Sequence, residues 1–254
     1  MKKGTTARPA RPSGRFTLVE LLVVIGVIGL LASMLFPALQ HARNRARAVR
    51  CRANLHECAV AMTAYLGDNN HAFWPYVQYN TPETGVKCYF WGTATRPVDP
   101  SASPLMPYLS NMLDTLWCPE LPWNSYVPQG SVNEPTTCFG YNAYYLHPNF
   151  FDPAKPTRRV TEIPDPAQLF VLNDAAMSWA PAGVPILQNS TYLEPVNGNW
   201  VQMPTTHFRH PGNATHALCA DGHTGVYKAA AGDIMRADQM LGFVGDRNEP
   251  HYAQ

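Results

Sequence analysis

Glu20 is the single charged residue in an apolar run that extends from Leu18 to Phe36. A carboxylate placed within a membrane-like segment is costly unless a cation pairs with it, so the position calls for a partner. No basic residue lies in the run, and the nearest is Arg15, with Lys2, Lys3, Arg8 and Arg11 behind it. Cutting the chain before Phe16 would create an α-amine four positions from Glu20, a cation for the same chain or for a neighbouring one. The alternative is a glutamate at the headgroup boundary, solvated by water.

A second concentration of reactive side chains lies near the C-terminus: His207, His210, His216, Cys219, Asp221 and His223 fall within 17 residues. Zinc accepts all three ligand types, but no standard Cys/His spacing is present. Asp221-Gly222 is also a strong short hairpin signal, because both turn positions must tolerate positive φ. Thr215 to Ala220 and His223 to Lys228 would be its strands, and a hairpin does not require His216 and His223 to share a face. The expectation is therefore a structural hairpin, with no metal and no cofactor. A hydrolase built on Asp174 and a histidine lacks a nucleophile motif such as G-x-S-x-G, and we expect no enzyme.

Six cysteines, at positions 51, 58, 88, 118, 138 and 219, would sit in an exported body where disulfides can form. Cys51 and Cys58 cannot pair, since seven helical residues separate them by about 10.5 Å, beyond the roughly 7 Å that a disulfide spans. Cys118 with Cys138 is the most local candidate disulfide, and buried thiols are the alternative.

These groups must be positioned by a chain whose 254 residues suit one sizeable domain with appendages. The 19 apolar residues 18–36 would span about 28 Å as a helix, enough to cross a bilayer. They exceed the roughly 7 to 15 residues of a signal-peptide core. The sequence predicts one helix from Phe16 to about Leu66, kinked at Pro37, where a backbone donor is lost. Its distal half carries stripes at helical spacing, namely Leu39, Ala42, Ala46, Val49 and Ala53, then Leu55, Cys58, Met62 and Leu66. Gly67 is the expected C-cap.

Nineteen of the 24 prolines fall between His71 and Thr205, among many aromatics, which predicts ordered loops and short strands around an aromatic core. Gln168 to Leu172 reads as a buried strand. The fold class is α+β: a long N-terminal helix, transmembrane and then amphipathic, packed on a small antiparallel sheet. Three segments follow: a basic leader over 1–15, an assembly helix over 16–37, and a globular domain over 38–254 that includes the distal helix.

Charge divides in the same way. Five basic residues precede Glu20, and a chain starting at Phe16 would carry a net −4. From Ala53 onward 9 basic residues face 17 acidic ones, so no nucleic-acid partner is expected. Arg43, Arg45, Arg47, Arg50 and Arg52 follow the span directly, a position that favours lipid headgroups or acidic neighbours in a filament.

The block Phe16-Thr17-Leu18-Val19-Glu20-Leu21-Leu22-Val23-Val24-Ile25 behind a basic leader closely resembles the N-terminal motif of type IV prepilins and type II secretion pseudopilins. The resemblance implies a prepilin peptidase that cuts before Phe16 and methylates the new amine, and a pairing of Glu20 with the N-terminus of a neighbouring subunit. Pro37, 21 residues after Phe16, stands at the family's usual interval for its helix-kinking proline. The residue before the cut is normally glycine, whereas here Arg15 stands there and Gly14 one position earlier, so cleavage after Gly14 and after Arg15 are both open.

Arg50-Cys51-Arg52-Ala53-Asn54-Leu55, Trp117-Cys118-Pro119, Phe139-Gly140-Tyr141-Asn142 and Asn173-Asp174 are similar to a prepilin subfamily of planctomycetes, verrucomicrobia and relatives. That subfamily carries a C-terminal motif of His, nine residues and Asp-Gly. Here ten residues separate His210 from Asp221-Gly222-His223.

The function implied is a structural subunit of a type IV pilus or secretion pseudopilus, with other pilin subunits, the peptidase and membrane lipid as partners. The implied location is the cytoplasmic membrane, single-pass, with the domain extracytoplasmic. The alternative is a membrane-anchored binding or metal protein that never polymerises.

Overall fold

A computed structural model of the chain describes residues 17–79, 86–122, 124–128, 134, 136–148, 155–180, 183–194, 203–245 and 251–252. The cleavage positions Gly14, Arg15 and Phe16 lie outside the described residues. The chain divides into two compact units, residues 1–43 and 44–254.

The expected helix forms as α1, Leu18–Asp68, with Pro37 inside it. It passes through Gly67, so the expected glycine C-cap is not where it ends. The left-handed residues are instead Asn70 (φ 53°) and His71 (φ 63°). Asn69 secures the end, its side-chain amide donating to the Tyr65 carbonyl at 2.8 Å. Asn69 bonds locally through its short side-chain amide, and at Asn70 the same residue type tolerates the left-handed backbone.

The buried face of α1 in the second unit starts at Cys51 and continues through Asn54, Leu55, Cys58, Ala59, Ala61, Met62, Tyr65 and Leu66. The distal stripe of the sequence is thus core. The proximal one is not, since Val49 is 65% exposed and Leu39 47%. Its alanines carry little apolar signal, and the true phase passes through Asn54, a polar residue. The Asn54 amide donates to the carbonyls of Asp114 (2.9 Å) and Trp117 (2.6 Å), so its burial closes two backbone acceptors at the end of α2, Met112–Thr115.

Twelve short strands follow among the described residues. The first seven are β1 Val77–Tyr79, β2 Lys87–Tyr89, β3 Gly92–Thr93, β4 Phe139–Tyr141, β5 Phe170–Asp174, β6 Ala176–Trp179 and β7 Ile186–Asn189. The remainder are β8 Thr206–His207, β9 Ala214–Cys219, β10 Thr224–Lys228, β11 Ile234–Arg236 and β12 Leu241–Gly242. A four-stranded antiparallel sheet ordered β10-β9-β5-β4 forms the centre. Smaller sheets β1-β2-β3, β11-β12-β8 and β6-β7 surround it. The fold is α+β, as the sequence implied.

Both faces of the central sheet are covered, which is why β5 and β9 are buried at every position. Val171, Leu172 and Leu218 join the core made with α1, where Trp74 stacks on Tyr141 with ring centroids 5.1 Å apart. Phe170, Ala217 and Cys219 join a second cluster with Phe208, Phe243 and Tyr252. In β9 the split follows the alternation of side chains along a strand, whereas in β5 an irregularity of register between Phe170 and Leu172 leaves Val171 and Leu172 in the same cluster. In β4, Gly140 leaves no room for a side chain: an added Cβ would stand 2.7 Å from both the Tyr192 carbonyl oxygen and the Ala175 Cβ.

The hairpin forms as expected, with β9 and β10 paired from Leu218↔Thr224 to Ala214↔Lys228 around Asp221-Gly222. Gly222 has φ 95°, which glycine alone adopts without strain. The buried strand also forms, shifted two residues onward to Phe170–Asp174.

Candidate functional site

The first candidate site is the start of α1. Thr17 and Glu20 bond reciprocally: the Thr17 backbone N–H and hydroxyl donate to Glu20 Oε2 (2.9 and 2.8 Å), and the Glu20 N–H donates to Thr17 Oγ1 (3.2 Å). This is a capping box, in which Thr-x-x-Glu satisfies backbone donors that an N-terminal turn leaves free. The Thr-x-x-Glu spacing of Thr17 and Glu20 is itself the sequence signal for this cap. In the single chain, then, Glu20 caps its own helix. From Leu18 to Phe36 the large apolar side chains of this helix are about half exposed or more, from Val24 at 48% to Leu18 at 77%. The helix is long and apolar enough to cross a membrane. Of the arginines that follow, Arg47 lies 3.7 Å from Glu120, a partly exposed pair.

The second candidate lies inside the body. The C-terminal group of potential ligands divides into two environments. Asp221 and His223 sit at the exposed turn, where the Asp221 carboxylate accepts from the His223 backbone N–H (3.0 Å) and meets its Nδ1 (2.7 Å). Cys219 faces the second hydrophobic cluster, with its sulfur 3.3 Å from the Tyr227 hydroxyl. His207 is buried in β8, and burial, with the Arg209 charge, holds it well below the ordinary imidazole range.

His210 and His216, by contrast, are drawn inward together. Pro211 to Asn213 turn the chain back so that His210 pairs with Ala214 beside β9, and the two imidazoles stack with centroids 3.8 Å apart. The Asp174 carboxylate, at the end of β5 and wholly buried, holds the pair. Its Oδ2 accepts the His216 backbone N–H at 2.7 Å and lies 3.0 Å from His210 Nε2 and 3.9 Å from His216 Nδ1. Its Oδ1 is 3.6 Å from Arg209 Nε and 3.6 Å from Cys51 Sγ, which α1 carries in. Arg209 is fixed by donating to the carbonyls of Cys138 (3.2 Å) and Ala175 (2.8 Å).

Cys118 and Cys138 complete the cluster. The Cys118 backbone N–H donates to Cys138 Sγ at 2.8 Å, and Cys118 Sγ lies 3.5 Å from His210 Nε2. All six cysteines are buried free thiols, so the candidate pair is brought together but carried as thiols. Burial pushes the Cys51 and Cys138 thiols well up. Burial also opposes the Cys118 thiolate, yet bonds from Cys138, Cys51 and His210, with Arg209 near, hold that thiol well below its usual range. His210 is raised to about 9, because the Asp174 charge outweighs its burial, while burial lowers His216 to about 4. The Nδ1 atoms of both histidines are buried without a hydrogen-bond partner. Arg209 lies between His207 and His210, whereas Cys51, Cys118, Cys138 and Asp174 stand far from that group in sequence, with 92 residues between Cys118 and His210 and 42 between Asp174 and His216, so no local spacing announces them.

A long apolar N-terminal helix with a capped glutamate, continuing into a body of small antiparallel sheets, is pilin-like. The chain is 44% identical over 55 residues to the type IV wide pilus major component PilA4 of Thermus thermophilus. That stretch is 22% of this chain, and it covers 42% of the relative's own length. No protein-family model and no solved structure matches the chain.

Proposed function

We propose that this chain is a structural subunit of a type IV pilus or a related pseudopilus and has no enzymatic activity. In this reading the leader is removed by a prepilin peptidase at Gly14-Arg15-Phe16, Phe16 becomes the methylated N-terminus, and the helix from Phe16 to Pro37 holds the subunit in the cytoplasmic membrane until it polymerises. The body then lies outside the membrane. The observation that carries this reading is Glu20, in an apolar helix whose side chains are unburied in the single chain. Exposed apolar surface of that extent demands lipid before assembly and neighbouring helices after it. The partial likeness to a pilus component supports the same assignment.

Shearing native cells tests it. Filaments released this way should contain the chain, and its membrane-bound fraction should be the pool of cleaved subunits that feeds them. Recovery of the whole population as detergent-soluble monomers, with none in the sheared fraction, would count against polymerisation.

A further inference from the structure

We propose that the buried cluster of Cys51, Asp174, His210 and His216 is a structural binding site for a divalent transition metal of the zinc class, which fastens helix α1 to the central sheet. This site is independent of the pilus assignment. The ligand atoms of these four residues all lie within 4.8 Å of one another, and all four residues are buried. Tetrahedral zinc, with bonds of about 2.3 Å to sulfur and about 2.0 Å to nitrogen or oxygen, places neighbouring donors about 3.3 to 3.6 Å apart. Asp174 Oδ2 lies 3.0 Å from His210 Nε2 and 3.9 Å from His216 Nδ1, which bracket that spacing, and Cys51 Sγ lies 3.6 Å from the other carboxylate oxygen, Oδ1. The donors are already gathered around one centre.

Three further features fit. The His216 Nδ1 facing Asp174 is buried with no hydrogen-bond partner, an acceptor position that a cation would fill. A Cys51 thiolate with the Asp174 carboxylate would neutralise a dication. One thiolate, two imidazoles and one carboxylate suit zinc, whereas calcium and magnesium take oxygen ligands. Four protein ligands leave no open position, which is the character of a structural rather than a catalytic centre. The ligands come from α1, the end of β5, β9 and the turn before it, so the ion would join elements distant in sequence, as a disulfide would.

The test uses the full-length, untagged chain purified in detergent. Elemental analysis should find about one zinc per chain. Chelator should lower the thermal midpoint by several degrees, and zinc should restore it. Cobalt exchanged for zinc should give the visible bands of a tetrahedral ion together with a thiolate-to-metal charge-transfer band. Cys51→Ser should abolish that charge-transfer band, while Cys58→Ser, a buried thiol of the same helix outside the cluster, should retain it. If Cys51→Ser does not fold, the stoichiometry and the cobalt spectrum of the natural protein still decide the matter. The proposal is overturned if the folded protein neither retains nor takes up zinc, if its cobalt spectrum lacks thiolate charge transfer, or if its non-reduced mass shows Cys51 in a disulfide.

Discussion

Glu20→Gln is expected to abolish filaments while leaving membrane insertion and leader cleavage intact. Glutamine can make the same capping box with Thr17, because its amide oxygen also accepts from the Thr17 N–H. What it removes is the charge that would meet the amine of an adjacent subunit. A hydrogen bond to a charged group contributes about 1.5 to 3 kcal/mol, so each subunit contact should weaken at least about tenfold. Because a polymer repeats the contact at every subunit, the sheared fraction should empty and mature monomers should accumulate in the membrane. Glu20→Ala should do the same with a less firmly capped helix, and Glu20→Asp should be intermediate, its charge kept but drawn back by one methylene. If the glutamine variant assembled normally while the alanine variant did not, helix capping would be the role of Glu20, and the charge-pairing argument would fail.

Asp174→Ala should lower the thermal midpoint of the detergent-solubilised chain by about 10 °C. The substitution strips Arg209 of its anion and leaves the His216 backbone N–H without its acceptor, all in a wholly buried setting. Breaking one side of a buried pair typically costs about 3 to 5 kcal/mol, and in a protein of this size about 1 kcal/mol moves the midpoint about 2 to 4 °C. Since the damage comes largely from an uncompensated cation, combining Asp174→Ala with Arg209→Met should recover part of the loss. A single variant within about 2 °C of the natural protein would contradict the description of Asp174 as the centre of the buried network.

The parts of the molecule that could be read from sequence are those whose signal is local. The apolar run, the Asp-Gly hairpin and the strand at Phe170–Asp174 depend on neighbours a few residues apart, and each formed with shifts of at most a few positions. The phase of the distal helix was harder. Ala42, Ala46 and Ala53 suggest a stripe but contribute little burial, whereas Asn54 faces the core because Asp114 and Trp117 present carbonyls there. The buried cluster was illegible for a different reason. Six histidine, cysteine and aspartate residues close in sequence looked like one group, yet β9 and its turn send His216 inward and leave His223 in solvent. Their actual companions, Cys51, Cys118 and Asp174, come from three other parts of the chain, and only the packing of α1 on the sheet reveals them.

The account rests on removal of the leader and on retention of the apolar helix as an assembly element. Mass spectrometry of the N-terminus of the protein recovered from its native membrane tests both at once. The predicted result is a chain that begins at Phe16 and carries one methyl group on its α-amine, with residues 18–36 retained. A chain that still begins at Met1 would contradict the account, as would one cut beyond Phe36 with the apolar helix lost.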